Sequence, residues 1–86
     1  MSAWTVRLSR RAAKQLHNLA PDVRSRVVAA LRAIQKDPTQ GVKLLGPLEG
    51  SRRYRVGDYR IVYQVDPANR VIAVENIRHR GRAYRP

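Results

Sequence analysis

The 86-residue sequence contains no cysteine. Disulfides and thiolate metal sites are therefore excluded, and two isolated histidines, His17 and His79, do not make a zinc site. Acids are scarce as well: 6 Asp and Glu stand against 18 Lys and Arg, a formal net charge of +12. No apolar window of about 18 residues occurs, so no membrane span is expected. The opening MSAWTVRL lacks the apolar run of a signal peptide, which makes the cytoplasm the expected address. The 5 glycines form neither a dinucleotide-binding pattern nor a P-loop, so no cofactor is expected.

What the chain does have is arginine, which supplies 15 of its 18 basic residues. Such a charge opposes compaction and attracts polyanions. The acidic partners to consider are nucleic acid, an anionic membrane and an acidic protein. A chain of this length cannot divide its apolar residues between two cores, so residues 1–86 are read as one domain.

The periodicity gives an order of elements. In WTVRL, Trp4, Val6 and Leu8 alternate with Thr5 and Arg7, which predicts a half-buried strand. Ser9 stands at an N-cap position ahead of a short helix in which Ala12, Ala13, Leu16 and Leu19 recur at helical spacing. A second helix starts near Pro21 and Asp22 and ends at Asp37 and Pro38, with Val23, Val27, Ala30, Leu31 and Ile34 on one stripe. So short a link predicts an antiparallel hairpin. Three strands follow. RRYRV directs Arg53 and Arg55 one way and Tyr54 and Val56 the other, and Gly57 with Asp58 supplies a tight turn. YRIVYQV then sets Tyr59, Ile61, Tyr63 and Val65 opposite Arg60, Val62 and Gln64. After the turn DPAN, RVIAVENI mixes its faces, since Ile72 and Val74 oppose Val71, Ala73 and Ile77; this suits a central strand covered on both sides. The tail RHRGRAYRP is too polar for a core element and belongs on the surface.

This order describes an α+β domain: an N-terminal strand, an antiparallel helical hairpin on one sheet face, then a largely antiparallel sheet of three further strands. The opposite sheet face is left free. Arg53, Arg55, Arg60 and the tail arginines are expected on that face or its rim.

The segments VRLSRRAAKQLHNLAPDVRSRVVAALRAIQKDP, GVKLLGPLEGSRRYRVGDYRIVYQVD and VIAVENIRHRGRAYR together resemble the RelE/ParE superfamily of toxins from bacterial type II toxin–antitoxin systems, over nearly the whole chain. RVGDYRIVY, followed by HR and a near-terminal tyrosine, is the most specific part. The resemblance implies the fold sketched above, no cofactor and no metal. It also implies a cognate acidic antitoxin that wraps the toxin, with the pair binding operator DNA through the antitoxin. RelE-like members cleave mRNA on the ribosome, whereas ParE-like members act on DNA gyrase without being nucleases.

Metal-free RNA cleavage uses the substrate's own 2′-hydroxyl. The protein must orient that group, take its proton, stabilise charge on the phosphorane and help the 5′-oxygen leave. Arginine suits charge stabilisation, because its planar fork bonds two phosphate oxygens and stays charged. It is a poor base. By resemblance to the RelE branch, Arg60 and Arg80 stabilise the phosphate, and Tyr84 stacks on a base or joins proton transfer. His79 falls where some relatives keep a catalytic histidine. Arg53 and Arg55, with Arg78 and Arg82, are the implied substrate-binding residues. The partners on this branch are the 70S ribosome and mRNA; no membrane is involved. Two features depart from the best-known RelE pattern: arginines replace lysines before the hairpin, and neither Glu49 nor Glu75 stands in the cluster, so a dedicated carboxylate base is not expected.

Plainer readings compete with these. A strand arginine is often only a solvated residue, and Arg7, Arg10, Arg11, Arg24, Arg26 and Arg32 are read as solubilising or as contacts with antitoxin or ribosomal RNA. His17 is read as structural or exposed, Tyr54, Tyr59 and Tyr63 as core, and Gly57 and Gly81 as backbone requirements. The alternative function is a non-enzymatic toxin that binds and inhibits gyrase. Nucleic-acid binding by itself separates nothing, because the charge predicts it under every reading.

Overall fold

The computed structural model describes residues 4–44 and 50–80. The strands are β1 (Thr5–Leu8), β2 (Val42–Lys43), β3 (Ser51–Val56), β4 (Tyr59–Asp66) and β5 (Val71–His79), and the helices are α1 (Arg10–His17) and α2 (Pro21–Lys36). A short 3₁₀ turn covers Pro38–Gln40. The strands form one five-stranded sheet in the order β1-β5-β4-β3-β2, with β1 parallel to β5 and every other pair antiparallel. The expected α+β architecture is present: a first strand, a helical hairpin and a mainly antiparallel sheet.

Local chemistry fixes the helix ends. The Ser9 hydroxyl accepts the Ala12 N–H at 3.0 Å and caps α1, as its position predicts. At the other end of α1 the guanidinium of Arg24 donates to the carbonyls of Leu16, His17 and Leu19 at 3.3, 2.9 and 3.0 Å. Helix C-termini leave carbonyls without intrahelical partners, and Arg24 supplies them from the neighbouring helix. It is therefore a clasp between α1 and α2, not the solvated or partner-facing residue expected.

The α2 stripe enters the core as predicted. Val27, Ala30, Leu31 and Ile34 are buried against Ile61 and Tyr63 of β4 and Ile72, Val74 and Ile77 of β5, with Ala12 of α1 alongside. Each large aliphatic side chain buried in this way stabilises the fold by about 1.5–3 kcal/mol. Tyr63 carries a polar group into that core and satisfies it: its hydroxyl donates to the Pro38 carbonyl at 2.7 Å and accepts the Gly41 N–H at 2.9 Å. Burial pushes this hydroxyl above the ordinary tyrosine range. A Cβ at Gly41 would lie 2.5 Å from the same oxygen, so only glycine fits there. Arg52 ties down the segment by donating to the carbonyls of Gly41 and Thr39 at 2.7 and 3.2 Å.

Two details correct the sequence reading. β2, read only as connection, pairs Val42 with Arg53 and Lys43 with Arg52. Two residues are too few for an alternation to show. The second correction concerns β5. It lies between β1 and β4, and β4 takes the middle of the sheet. Its mixed pattern comes from a β-bulge: Val62 pairs with Asn76 but Tyr63 pairs with Val74, leaving Glu75 as the extra residue. The bulge resets the alternation by one, so Ile72 and Val74 before it and Ile77 after it all face the core.

The β3–β4 turn is the one expected. Gly57 has φ +57° and Asp58 does not have a positive φ, the pattern of a type II′ hairpin turn with glycine at its first central position.

Candidate active site on the open sheet face

Strand alternation sends alternate residues of β3, β4 and β5 away from the helices. The register then aligns them into rows. Arg55 lies opposite Arg60, and Arg60 lies opposite Arg78, so three arginines stand abreast on three adjacent strands. The neighbouring row is Arg53, Val62 and Asn76. Arg55 is exposed, while Arg53, Arg60 and Arg78 are half-buried. Cross-strand neighbours have Cβ atoms about 4.5–5.5 Å apart, and like charges directly opposite one another destabilise a sheet. An anion seated among the three guanidinium groups would offset that repulsion and find several forked donors at once.

Arg80 follows β5. Its N–H donates to the Asp58 carbonyl at 2.6 Å, which ties the end of β5 to the β3–β4 turn and holds Arg80 at the end of the sheet that carries the arginine row. His79 pairs with Tyr59, so the register sets it on the face opposite Arg60 and Arg78. There its exposed ring meets Tyr59 edge-on, at 5.1 Å between centroids and 84° between planes. Tyr84 and Arg82 lie outside the described residues. The structure thus brings Arg53, Arg55, Arg60 and Arg78 together on one face, with Arg80 at its end, and sets His79 apart.

Glu75 was missed. The bulge turns it onto the open face, where the Ser51 hydroxyl donates to its Oε1 at 3.1 Å and the Gln64 amide donates to that hydroxyl at 3.4 Å. A carboxylate therefore does share the face with the arginines. The sequence carried a signal for it, namely the parity clash between Ile72 and Val74 on one side and Ile77 on the other. Among the helical-half arginines, Arg7, Arg10, Arg11, Arg26 and Arg32 are exposed.

Residues 6–84 match the family model described as the ParE toxin of the type II toxin–antitoxin system parDE. The RelE/ParE toxin superfamily is the family of this chain. Toxin RelG of Mycobacterium tuberculosis is 31% identical over 84 residues, covering 95% of this chain and 97% of RelG. Among solved structures, a chain of the toxin–antitoxin complex RelBE2 from the same organism superposes with a TM-score of 0.82 at 30% identity, over 90% of this chain and 98% of that one. A chain of the archaeal RelE–RelB complex from Pyrococcus horikoshii does so with a TM-score of 0.76 at 26% identity, over 96% and 100%. The toxin is thus of the type II toxin–antitoxin kind, and RelE-type relatives dominate its neighbours. Among the described residues no helix is long and apolar enough to cross a membrane.

Proposed function

We propose that this toxin is a ribosome-dependent endoribonuclease that cuts mRNA in the A site. The observation that carries this reading is the Arg55, Arg60 and Arg78 row that the register aligns across three adjacent strands. In the proposed step the 2′-oxygen attacks the adjacent phosphorus and the bond from phosphorus to the 5′-oxygen breaks. The 2′-hydroxyl proton passes to a base, the leaving 5′-oxygen takes up a proton, and the products are a 2′,3′-cyclic phosphate, which can open to a 3′-phosphate, and a 5′-hydroxyl. Arg60 and Arg80 hold the non-bridging oxygens as their charge grows, the role for which preorganised donors are worth most. Arg53, Arg55, Arg78 and Arg82 neutralise and seat the flanking backbone. No metal or cofactor enters this step.

The base is assigned by exclusion of the arginines, which stay protonated near neutral pH. His79 and Tyr84 are the candidates within the chain. The register, which turns His79 away from Arg60, favours the Tyr84 hydroxyl or groups supplied by RNA and ribosome. The partner in this reading is a cognate acidic antitoxin, supported by the antitoxin complexes in which the RelE-type neighbours were solved. It would offset the arginine face, and the pair would bind operator DNA through the antitoxin.

A gyrase-directed, non-enzymatic toxin is the second reading, favoured by the ParE name of the matching family model. One experiment separates the two. Purified toxin is added to ribosomes programmed with a defined mRNA and an open A-site codon, and RNA 5′ ends are mapped beside a ribosome-free control. Cuts within that codon support the ribonuclease. Intact mRNA from protein that still arrests growth supports the gyrase reading.

A further inference from the structure

Glu75 is the group on the open face that the proposed phosphate chemistry leaves unused. Its position is held from two sides. From the helical side, Ser9 donates its N–H to the Val74 carbonyl at 2.8 Å and its hydroxyl to the Glu75 carbonyl at 2.8 Å. Next to it the Gln15 side chain donates to Asn76 Oδ1 at 3.1 Å and accepts the Ile77 N–H at 2.7 Å, as a paired strand would. From the sheet side, Ser51, only 3% exposed, anchors the carboxylate through Oε1. Ser51 lies two residues before Arg53 and four before Arg55, so this acceptor sits about 7 Å from the first and about 13 Å from the second along β3.

A carboxylate accepts hydrogen bonds and donates none. It repels phosphate, so an RNA strand whose phosphate sits over the arginine row would not set its next phosphate on Glu75. What fits there is a base edge rich in N–H groups. Guanine offers a ring N–H beside an amino group, two adjacent donors for the two carboxylate oxygens. Adenine and cytosine place a ring acceptor beside their amino group, which would face the carboxylate lone pairs. We infer that Glu75, oriented by Ser51 and Gln64, forms a nucleobase subsite that reads guanine in a nucleotide adjacent to the phosphate on the arginine row. This inference rests on the ribonuclease reading and adds a base preference to it.

The test compares wild type with Glu75→Gln on programmed ribosomes carrying guanosine, inosine or adenosine at each position of the A-site codon, with kcat/KM as readout. Wild type should prefer guanosine over adenosine at one position by about 10- to 100-fold, with inosine between, since it lacks the amino group. In Glu75→Gln that ratio should fall toward one. Ser51→Ala, which keeps the carboxylate but frees it, should lower the ratio in part, and a thermal melt establishes that each variant is folded. A ratio unchanged in Glu75→Gln overturns the inference, and so does an equal loss on every codon. If wild type cuts nothing, the ribonuclease reading falls alone. The subsite is then judged by binding of single-stranded oligomers with 2′-deoxy linkages: tighter binding of the guanosine oligomer, lost in Glu75→Gln, upholds it, and equal affinities overturn it.

Discussion

The two faces of the sheet use the same residue type in opposite ways. On the helical side, Arg24 donates to three carbonyls at the end of α1 and Arg52 donates to two beside Gly41. Each donates to backbone carbonyls of a neighbouring segment, Arg24 to the end of α1 and Arg52 to Thr39 and Gly41. On the open side, Arg55, Arg60 and Arg78 are set against one another by register. The first arrangement ties backbone segments together, and the second gathers like charges on one face, where an anion finds several donors at once. A residue's contribution here follows from what lies opposite it.

The largest effect should come from breaking the open face. Arg60→Ala is expected to lower single-turnover cleavage on programmed ribosomes by about 100-fold or more, while ribosome affinity changes much less. Equal losses of binding and cleavage would remove Arg60 from the transition state. On the covered face the matching experiment is Tyr63→Phe. It strands the Gly41 N–H and the Pro38 carbonyl in a buried site, and urea unfolding should show a loss of about 1–3 kcal/mol. Cleavage by the remaining folded protein should be near wild type. A variant as stable as wild type would mean that water replaces the hydroxyl.

A smaller effect sharpens the contrast. Arg55→Gln removes one member of the like-charged row, so stability should rise by about 0.2–1 kcal/mol in urea melts. Single-stranded RNA affinity should fall, with the salt slope shallower by about one. Destabilisation instead would show that Arg55 is held by interactions within the fold, as Arg24 is.

How much of this could be read beforehand depends on how local the cause is. Ser9 as a cap, Gly57 and Asp58 as a turn, and the Val27 to Ile34 stripe each follow from a few adjacent residues, and each stands where the sequence put it. The open-face arginines were legible for the same reason, since strand alternation alone separates Arg53, Arg55 and Arg60 from Tyr54, Ile61 and Tyr63. Arg24 and Glu75 were not. The acceptors of Arg24 belong to another helix, and Glu75 reaches its face only because Ser9 and Gln15, more than 60 residues earlier, hold a bulge open. His79 had no face assigned by alternation, and only the register beyond the bulge sets it beside Tyr59, opposite Arg60 and Arg78.

The smallest expected effect concerns carboxyls that belong to neither face. Asp37 accepts the Thr39 hydroxyl and N–H at 2.6 and 3.1 Å, and Asp66 accepts the Asn69 side-chain amide and N–H at 2.8 and 3.3 Å. These hydrogen bonds, led in each case by the side-chain donor, hold both carboxyls below their ordinary range. Each therefore binds its proton more readily in the unfolded chain. The stability it contributes is complete above the unfolded value of about 3.9 and is lost as pH falls through the lower folded value. Replacing both with asparagine should flatten the acid limb of stability below about pH 4 and leave neutral stability nearly unchanged, because the groups are exposed and screened. Urea unfolding at a series of pH values checks this, and an acid limb unchanged in the double variant would assign the acid sensitivity to other groups.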